Sequence, residues 1–219
     1  MIDKSRGFTL IEIAIVLVII GLLLGGVLKG QELIQSARVR NLASTDDGVK
    51  AAFFGFQDRF KALPGDYLTA TTNINGATQN GNGDGLIGGT PATATEAIAV
   101  WDHLSHAGFL NGNYTYAATV TAGTTNPTNA YGAPLQLIYD AVYADAGTPA
   151  LRHNLKLGNL IPAGIIAELD RKIDDGNAQT GSFRYSSYNN ASAANLCHTA
   201  GVWIVTGTID SNCGGATLF

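Results

Sequence analysis

Charged residues are scarce in this sequence: Asp, Glu, Lys and Arg make up 14% of its 219 residues, and the formal net charge is −4. A surface so poor in charge is more typical of an exported protein than of a cytosolic one. From Lys61 onward there are six Lys or Arg residues and eleven Asp or Glu residues. This part of the chain lacks the basic patch that nucleic-acid binding usually needs, so we expect no nucleic acid among its partners.

Common catalytic motifs are also missing. The sequence contains no GxSxG nucleophile elbow, no P-loop and no HExxH pair. His103 and His106 are three residues apart in a predicted helix, a spacing that suits a metal site. Both lie away from the apolar face formed by Ile98 and Trp101, which favours surface histidines. We therefore expect no enzymatic activity and no required cofactor.

Cysteine is limited to Cys197 and Cys213. An even pair in an exported chain favours a disulfide, and closing a loop of this length contributes about 3 kcal/mol in the chain-entropy model. Two free buried thiols are an alternative. A metal site formed with His198 is another, although it lacks the CxxC pair typical of zinc sites. We predict the disulfide.

Against this background, the N-terminal region contains a long apolar run. It extends from Phe8 to Leu28, and its 21 residues span about 30 Å as a helix, enough to cross a bilayer. A cleaved secretory signal is an alternative, but its apolar region is shorter and ends in an A-x-A-like site. Lys4 and Arg6 precede the run, and this basic segment predicts a cytoplasmic N-terminus and a single membrane pass.

One acidic residue, Glu12, interrupts this apolar run, which contains no Lys or Arg. A carboxylate within a membrane helix costs up to about 3 kcal/mol at the bilayer centre and less near the interface, so it needs a partner. If the chain were cut after Gly7, a new ammonium would appear on Phe8, at the positive end of the helix dipole. A nearby carboxylate would offset both charges.

The stretch RGFTLIEIAIVLVIIGLLLG, which begins at Arg6, resembles the class III signal of type IV pilins and type II secretion pseudopilins. The resemblance implies that a membrane prepilin peptidase cuts between Gly7 and Phe8 and methylates the new amine of Phe8. It also implies that Glu12 pairs with the Phe8 ammonium of a neighbouring subunit as a filament grows. Glu12 lies about 6 Å from Phe8 along a helix axis, so a pair within one subunit remains an alternative.

Beyond the membrane segment, the sequence predicts an α+β head. An apolar stripe with spacings of three and four extends the helix to Leu63, before Pro64. Helices are predicted at residues 95–110 and 162–176, and strand-like runs at residues 113–120, 134–143, 181–188 and 201–209. The pilin resemblance implies that the long helix packs on an antiparallel sheet. The predicted segments are a leader (1–7), a filament-core helix (8–28), its continuation (29–63) and the head with its disulfide loop (64–219).

The stretch NGNGDGLIGG, residues 80–89, resembles the first half of an EF-hand calcium loop. Asn80, Asn82 and Asp84 alternate, Gly85 allows a tight turn and Ile87 anchors it. The pattern then departs, because the twelfth position is Pro91 instead of a bidentate glutamate. Calcium would need outside oxygens, for which Asp66 and Glu96 are the candidates. A glycine-rich surface turn is the alternative.

The combined features predict a structural subunit of a type IV pilus or a similar filament. It would be anchored in the inner membrane of a bacterium with its head in the periplasm, and would then join copies of itself or related pilins at the cell surface. A type II secretion pseudopilin is one alternative, although the C-terminal disulfide loop resembles the D-region of pilins. A membrane-anchored receptor or sugar-binding protein is another.

Overall fold

The computed structural model describes residues 10–88 and 95–219. Its first element is helix α1 (Leu10–Phe60). The later elements are α2 (Ala70–Asn73), α3 (Thr95–His106), β1 (Gln136–Asp140), β2 (Arg152–Lys156), α4 (Ala163–Ile173), β3 (Phe183–Tyr185), α5 (Ala194–Cys197), β4 (His198–Thr199), β5 (Val202–Trp203) and β6 (Gly215–Leu218). The chain divides into two compact units, with the boundary between Arg38 and Val39.

The first unit contains the apolar half of α1. Its Leu, Ile and Val side chains are exposed on all sides, from Leu10 to Ile34. An apolar helix without a polar face is stable in lipid or against other apolar surfaces, not in water. Within the described residues, α1 is the one helix long and apolar enough to cross a membrane.

In the second unit, the rest of α1 is amphipathic and packs into the head. Its buried residues recur every three or four positions, which places them on one face: Val39, Leu42, Ala43, Asp46, Val49, Ala52, Phe53 and Phe56. The predicted helix was three residues too long, since α1 ends at Phe60. Lys61 has a φ of 53°, a left-handed conformation that ends the helix before Pro64.

A four-stranded antiparallel sheet lies against this face, with strand order β1-β2-β6-β3. Contacts between α1 and this sheet include the Phe53 ring, which stacks on Phe219 directly after β6 at 5.1 Å, and the Thr217 hydroxyl, which donates to Asp46 Oδ1 at 2.6 Å. The predicted α+β class, a long N-terminal helix on an antiparallel sheet, is confirmed.

Some predicted strands are wrong. Residues 113–120 form no strand, and their backbone contacts include one hydrogen bond, from the Thr115 N–H to the Thr124 carbonyl at 3.3 Å. In 201–209 only Val202–Trp203 is a strand, paired with β4. Strands β2 and β6 were not predicted, since the first carries charges at both ends and the second is short and begins with glycine.

The prediction that His103 lies on the surface is also wrong. Almost all of α3 is buried, because residues 65–88 cover the face opposite the sheet. The Gly65 N–H donates to His103 Nδ1 at 2.9 Å, so Nε2 carries the proton and donates to the Gln79 carbonyl at 2.7 Å. His106 is half-buried, with its Nδ1 2.7 Å from Asp102 Oδ1. His103 therefore holds the covering segment in place, whereas His106 bonds within α3.

Candidate functional site

The predicted processing site, Gly7 and Phe8, lies outside the described residues. Glu12 is within them, in the first turn of α1, where its side chain is exposed. The apolar surface continues from there to Leu28. Lys29 then forms an exposed ion pair with Glu32 at 2.7 Å, and this pair marks the beginning of the polar part of the helix. The arrangement is that of a membrane-length apolar surface with one carboxylate near its start.

A second acidic residue of α1, Asp46, fixes the helix to the sheet. The Asp46 side chain is fully buried. Its Oδ1 accepts a hydrogen bond from the Thr217 hydroxyl, and its Oδ2 forms an ion pair with Lys50 at 2.7 Å. Asp46 is not among the residues for which the sequence predicts a role. The signal was present, since Asp46 lies three residues from both Ala43 and Val49 on the apolar stripe. An acid in a buried stripe indicates a specific polar contact.

The glycine-rich loop is held by the two carboxylates that were predicted as outside oxygens. Asp66 Oδ1 accepts the N–H of Gly83 at 2.6 Å and that of Asp84 at 3.1 Å, and Oδ2 accepts the N–H of Gly85 at 2.8 Å. The loop thus wraps its backbone donors around a buried side chain. These hydrogen bonds explain why the glycine-rich loop has a defined conformation.

Glu96 holds the loop at two further points. Its Oε1 accepts the Asn82 N–H at 2.9 Å and its Oε2 accepts the Gly88 N–H at 2.8 Å. Burial raises the pKa of Glu96 above its ordinary value, the two N–H groups oppose this rise, and the charges of Asp66 and Asp84 add to it. Three mutually repelling carboxylates at one place form an arrangement that a divalent cation would stabilise.

The structure brings together part of the predicted calcium site. Carboxylate oxygens of Asp66, Asp84 and Glu96 lie within 4.8 Å of one another. Asn80 is used differently, since its Oδ1 accepts the N–H and the hydroxyl of Thr71 at 2.9 and 3.0 Å. Asn82 Oδ1 accepts the Asp84 N–H at 2.9 Å. Carboxylate oxygens of Asp66 and Glu96 already accept backbone N–H groups, and calcium would compete with these hydrogen bonds. Calcium binding stays a prediction.

The C-terminal cysteines are joined. The Cys197–Cys213 bond has an S–S distance of 2.07 Å and a Cα–Cα distance of 5.8 Å, and both residues are fully buried. Beside it, the backbone of Cys213 pairs with that of Ile161. The enclosed segment has a second attachment, because Trp203 Nε1 donates to Asp170 Oδ2 at 2.7 Å. The alternatives of free thiols and of a metal site with His198 do not hold in this structure.

Comparison with known proteins identifies the N-terminal segment. Residues 2–28 match the family model of the prokaryotic N-terminal methylation motif. No curated protein and no solved structure matches the chain. The matched segment contains the predicted processing site, Glu12 and much of the exposed apolar part of α1. The chain therefore carries the class III prepilin-type signal, which marks a prepilin-type precursor of the pilin or pseudopilin kind.

Proposed function

We propose that this protein is a structural subunit of a type IV pilus or a closely similar filament. The observation that carries the proposal is the coincidence, on one segment, of the methylation motif with a membrane-length helix whose apolar side chains are exposed on all sides. Such a surface needs an apolar environment at every stage. The bilayer provides it before assembly, and the same helices of neighbouring subunits provide it inside a filament.

The maturation steps follow from the resemblance. Lys4 and Arg6 keep the N-terminus in the cytoplasm, so the helix crosses the inner membrane once and the head lies in the periplasm. Prepilin peptidase removes residues 1–7 and methylates Phe8. Glu12 then accepts the Phe8 ammonium of a neighbouring subunit, which selects the axial position of each incoming helix. The filament finally places the head at the cell surface.

A type II secretion pseudopilin is the second candidate, because the methylation motif is common to both kinds of precursor. The disulfide that closes the C-terminal segment supports the pilus subunit, through its resemblance to the D-region of pilins. A membrane-anchored receptor is a third candidate, and it would retain residues 1–7. Each of these roles is structural or recognitive rather than catalytic.

Substitution at Glu12 tests the proposed assembly step. Glu12→Ala should insert into the membrane and be processed normally, but its incorporation into sheared filaments should fall strongly, because the neighbouring ammonium loses its carboxylate. Glu32→Ala is the matched control, since it removes a carboxylate from the same helix beyond the apolar run. Equal filament yields from the two variants, measured by immunoblot of sheared material, would refute the role of Glu12.

A further inference from the structure

A lysine is completely buried in the sheet of the head. Lys156 is the last residue of β2, and none of its surface is exposed. Its Nζ lies 2.9 Å from Oδ1 of Asp140, the last residue of the neighbouring strand β1, and it donates to the Val142 carbonyl at 3.0 Å. Burial of a charged amine is costly even when the amine is paired. The neutral form of this lysine is therefore the form that the site favours.

Asn154 joins this pair from the same strand. It is also completely buried, and it lies two positions before Lys156, so both side chains are on one face of the sheet. The Asn154 Nδ2 donates to Asp140 Oδ1 at 2.9 Å and to the Arg152 carbonyl at 3.0 Å. The amine of Lys156 and the amide nitrogen of Asn154 therefore contact the same carboxylate oxygen.

The environment of this cluster favours a reactive amine. Burial lowers the pKa of the Lys156 ammonium below its ordinary value, and the charge and hydrogen bond of Asp140 oppose this effect. Transfer of a proton from Nζ to Asp140 would remove both buried charges and leave a neutral, nucleophilic amine. Within the described residues, Asp140 Oδ2 and Asn154 Oδ1 are buried without a hydrogen-bond partner. Because buried polar groups are almost always paired, the cluster is incompletely satisfied as it stands.

We propose that Lys156 and Asn154 form an intramolecular isopeptide bond, with Asp140 moving the proton between the two nitrogens. The lone pair of Nζ attacks Cγ of Asn154, and a new C–N bond forms. Asp140 takes a proton from Nζ and delivers it to Nδ2, which its Oδ1 already contacts. The bond between Cγ and Nδ2 then breaks, and ammonia leaves.

The reaction needs nothing from outside the chain. No oxidation state changes, and the atoms lost are those of one ammonia molecule. The Asp140 side chain is 16% exposed, which gives ammonia a path to solvent. The three groups are held in contact by the fold, and each molecule reacts once, so proximity replaces rapid turnover. Because the site is in the head, it is independent of the proposed filament assembly.

Tryptic digestion of the denatured full-length chain tests the bond. Trypsin cleaves after a free lysine, so an unmodified chain gives the separate peptides 153–156 and 157–171. The isopeptide bond removes the free amine of Lys156, so a single peptide 153–171 should appear, lighter by about 17 Da, the mass of ammonia. Fragmentation should place the loss between Asn154 and Lys156. This readout does not depend on processing at the N-terminus.

Three results would overturn the proposal. The first is complete cleavage after Lys156 with both peptides at their encoded masses. The second is a loss of about 17 Da from a peptide still cleaved after Lys156, which indicates a succinimide at Asn154. The third is a loss of about 18 Da that links Lys156 to the peptide containing Asp140, since water would then be the leaving group.

Variants of the full-length chain test the role of each group. Lys156→Met should give peptide 153–171 at its encoded mass, because the nucleophile is gone. Asp140→Asn should slow formation of the bond by about a hundredfold or more, since an amide cannot carry the proton. Lys61→Met is the matched control, because it removes an exposed lysine that pairs with Asp58 at 2.8 Å, and it should retain the bond. Unchanged bond formation in folded Asp140→Asn would overturn the role of Asp140, and the digest of the unmutated chain decides the bond itself if the variants do not fold.

Discussion

Loss of the Cys197–Cys213 bond should lower the free energy of unfolding of the head by about 3 kcal/mol. The two cysteines are 16 positions apart in the sequence, and the chain-entropy model gives about 3 kcal/mol for a crosslink of this span. Complete burial of both residues predicts that mild reductant leaves the bond intact in the folded protein. The reduced fold should remain native, since Trp203 still bonds Asp170 and so holds the enclosed segment.

The assay is urea unfolding of the full-length chain in detergent, followed by tryptophan fluorescence. Trp101 and Trp203 are both buried and report on the interior of the head. With a denaturant slope of about 2 kcal/mol/M, the midpoint should fall by about 1.5 M. The wild-type chain, reduced in urea and refolded with reductant, measures the contribution of the disulfide alone to the free energy of unfolding. The double variant Cys197→Ala with Cys213→Ala also includes the cost of the lost side-chain volume. A midpoint change below about 0.5 M in the reduced wild type would refute the entropic reasoning.

Two further predictions concern the segment that covers α3. If the dissociation constant is about 1 mM, ten millimolar calcium should stabilise the chain against unfolding by about 1.4 kcal/mol relative to chelator. Asp84→Ala should abolish this gain. Equal melting temperatures of the unmutated chain with calcium and with chelator would show that the loop is an ordinary turn. Burial lowers the pKa of His103 below 6.5, so the unfolded chain binds the proton first and stability should fall as pH decreases through 6.5 toward the folded pKa. His103→Asn should flatten the dependence of stability on pH in this range. An unchanged pH dependence in the variant would contradict the role of His103.

Local periodicity accounts for the parts of the fold that the sequence predicted well. The stripe from Val49 to Phe60 and the apolar run from Phe8 are repeated patterns on single helices, so no distant contact is needed to recognise them. Helix α4 was predicted for the same reason, with Pro162 just before its first residue.

Long-range contacts account for the errors. Lys156 is fully buried at the end of β2 because Asp140, on the neighbouring strand, pairs with it at 2.9 Å. Nothing in the sequence near Lys156 indicates that contact. His103 was misplaced for a related reason, since the face opposite the apolar stripe is covered by a segment more than twenty residues earlier in the chain.

The glycine-rich loop combines a feature that local sequence indicates with contacts that depend on distant residues. Asn80, Asn82 and Asp84 were predicted as calcium ligands, with Asp66 and Glu96 as outside oxygens, and the structure brings together the carboxylates of Asp84, Asp66 and Glu96. The spacing predicted a calcium loop, which stays a prediction. It did not show that two distant carboxylates bind the backbone N–H groups, because that depends on how α3 and the loop pack.

The intact mass of the protein recovered from membranes and sheared filaments tests whether this chain is a prepilin processed for filament assembly. The mass should be lower by residues Met1 to Gly7 and higher by one methyl group, with fragmentation placing that methyl on the amine of Phe8. A chain that retains Met1 to Gly7 in both fractions, or that is cut at another position, would contradict it.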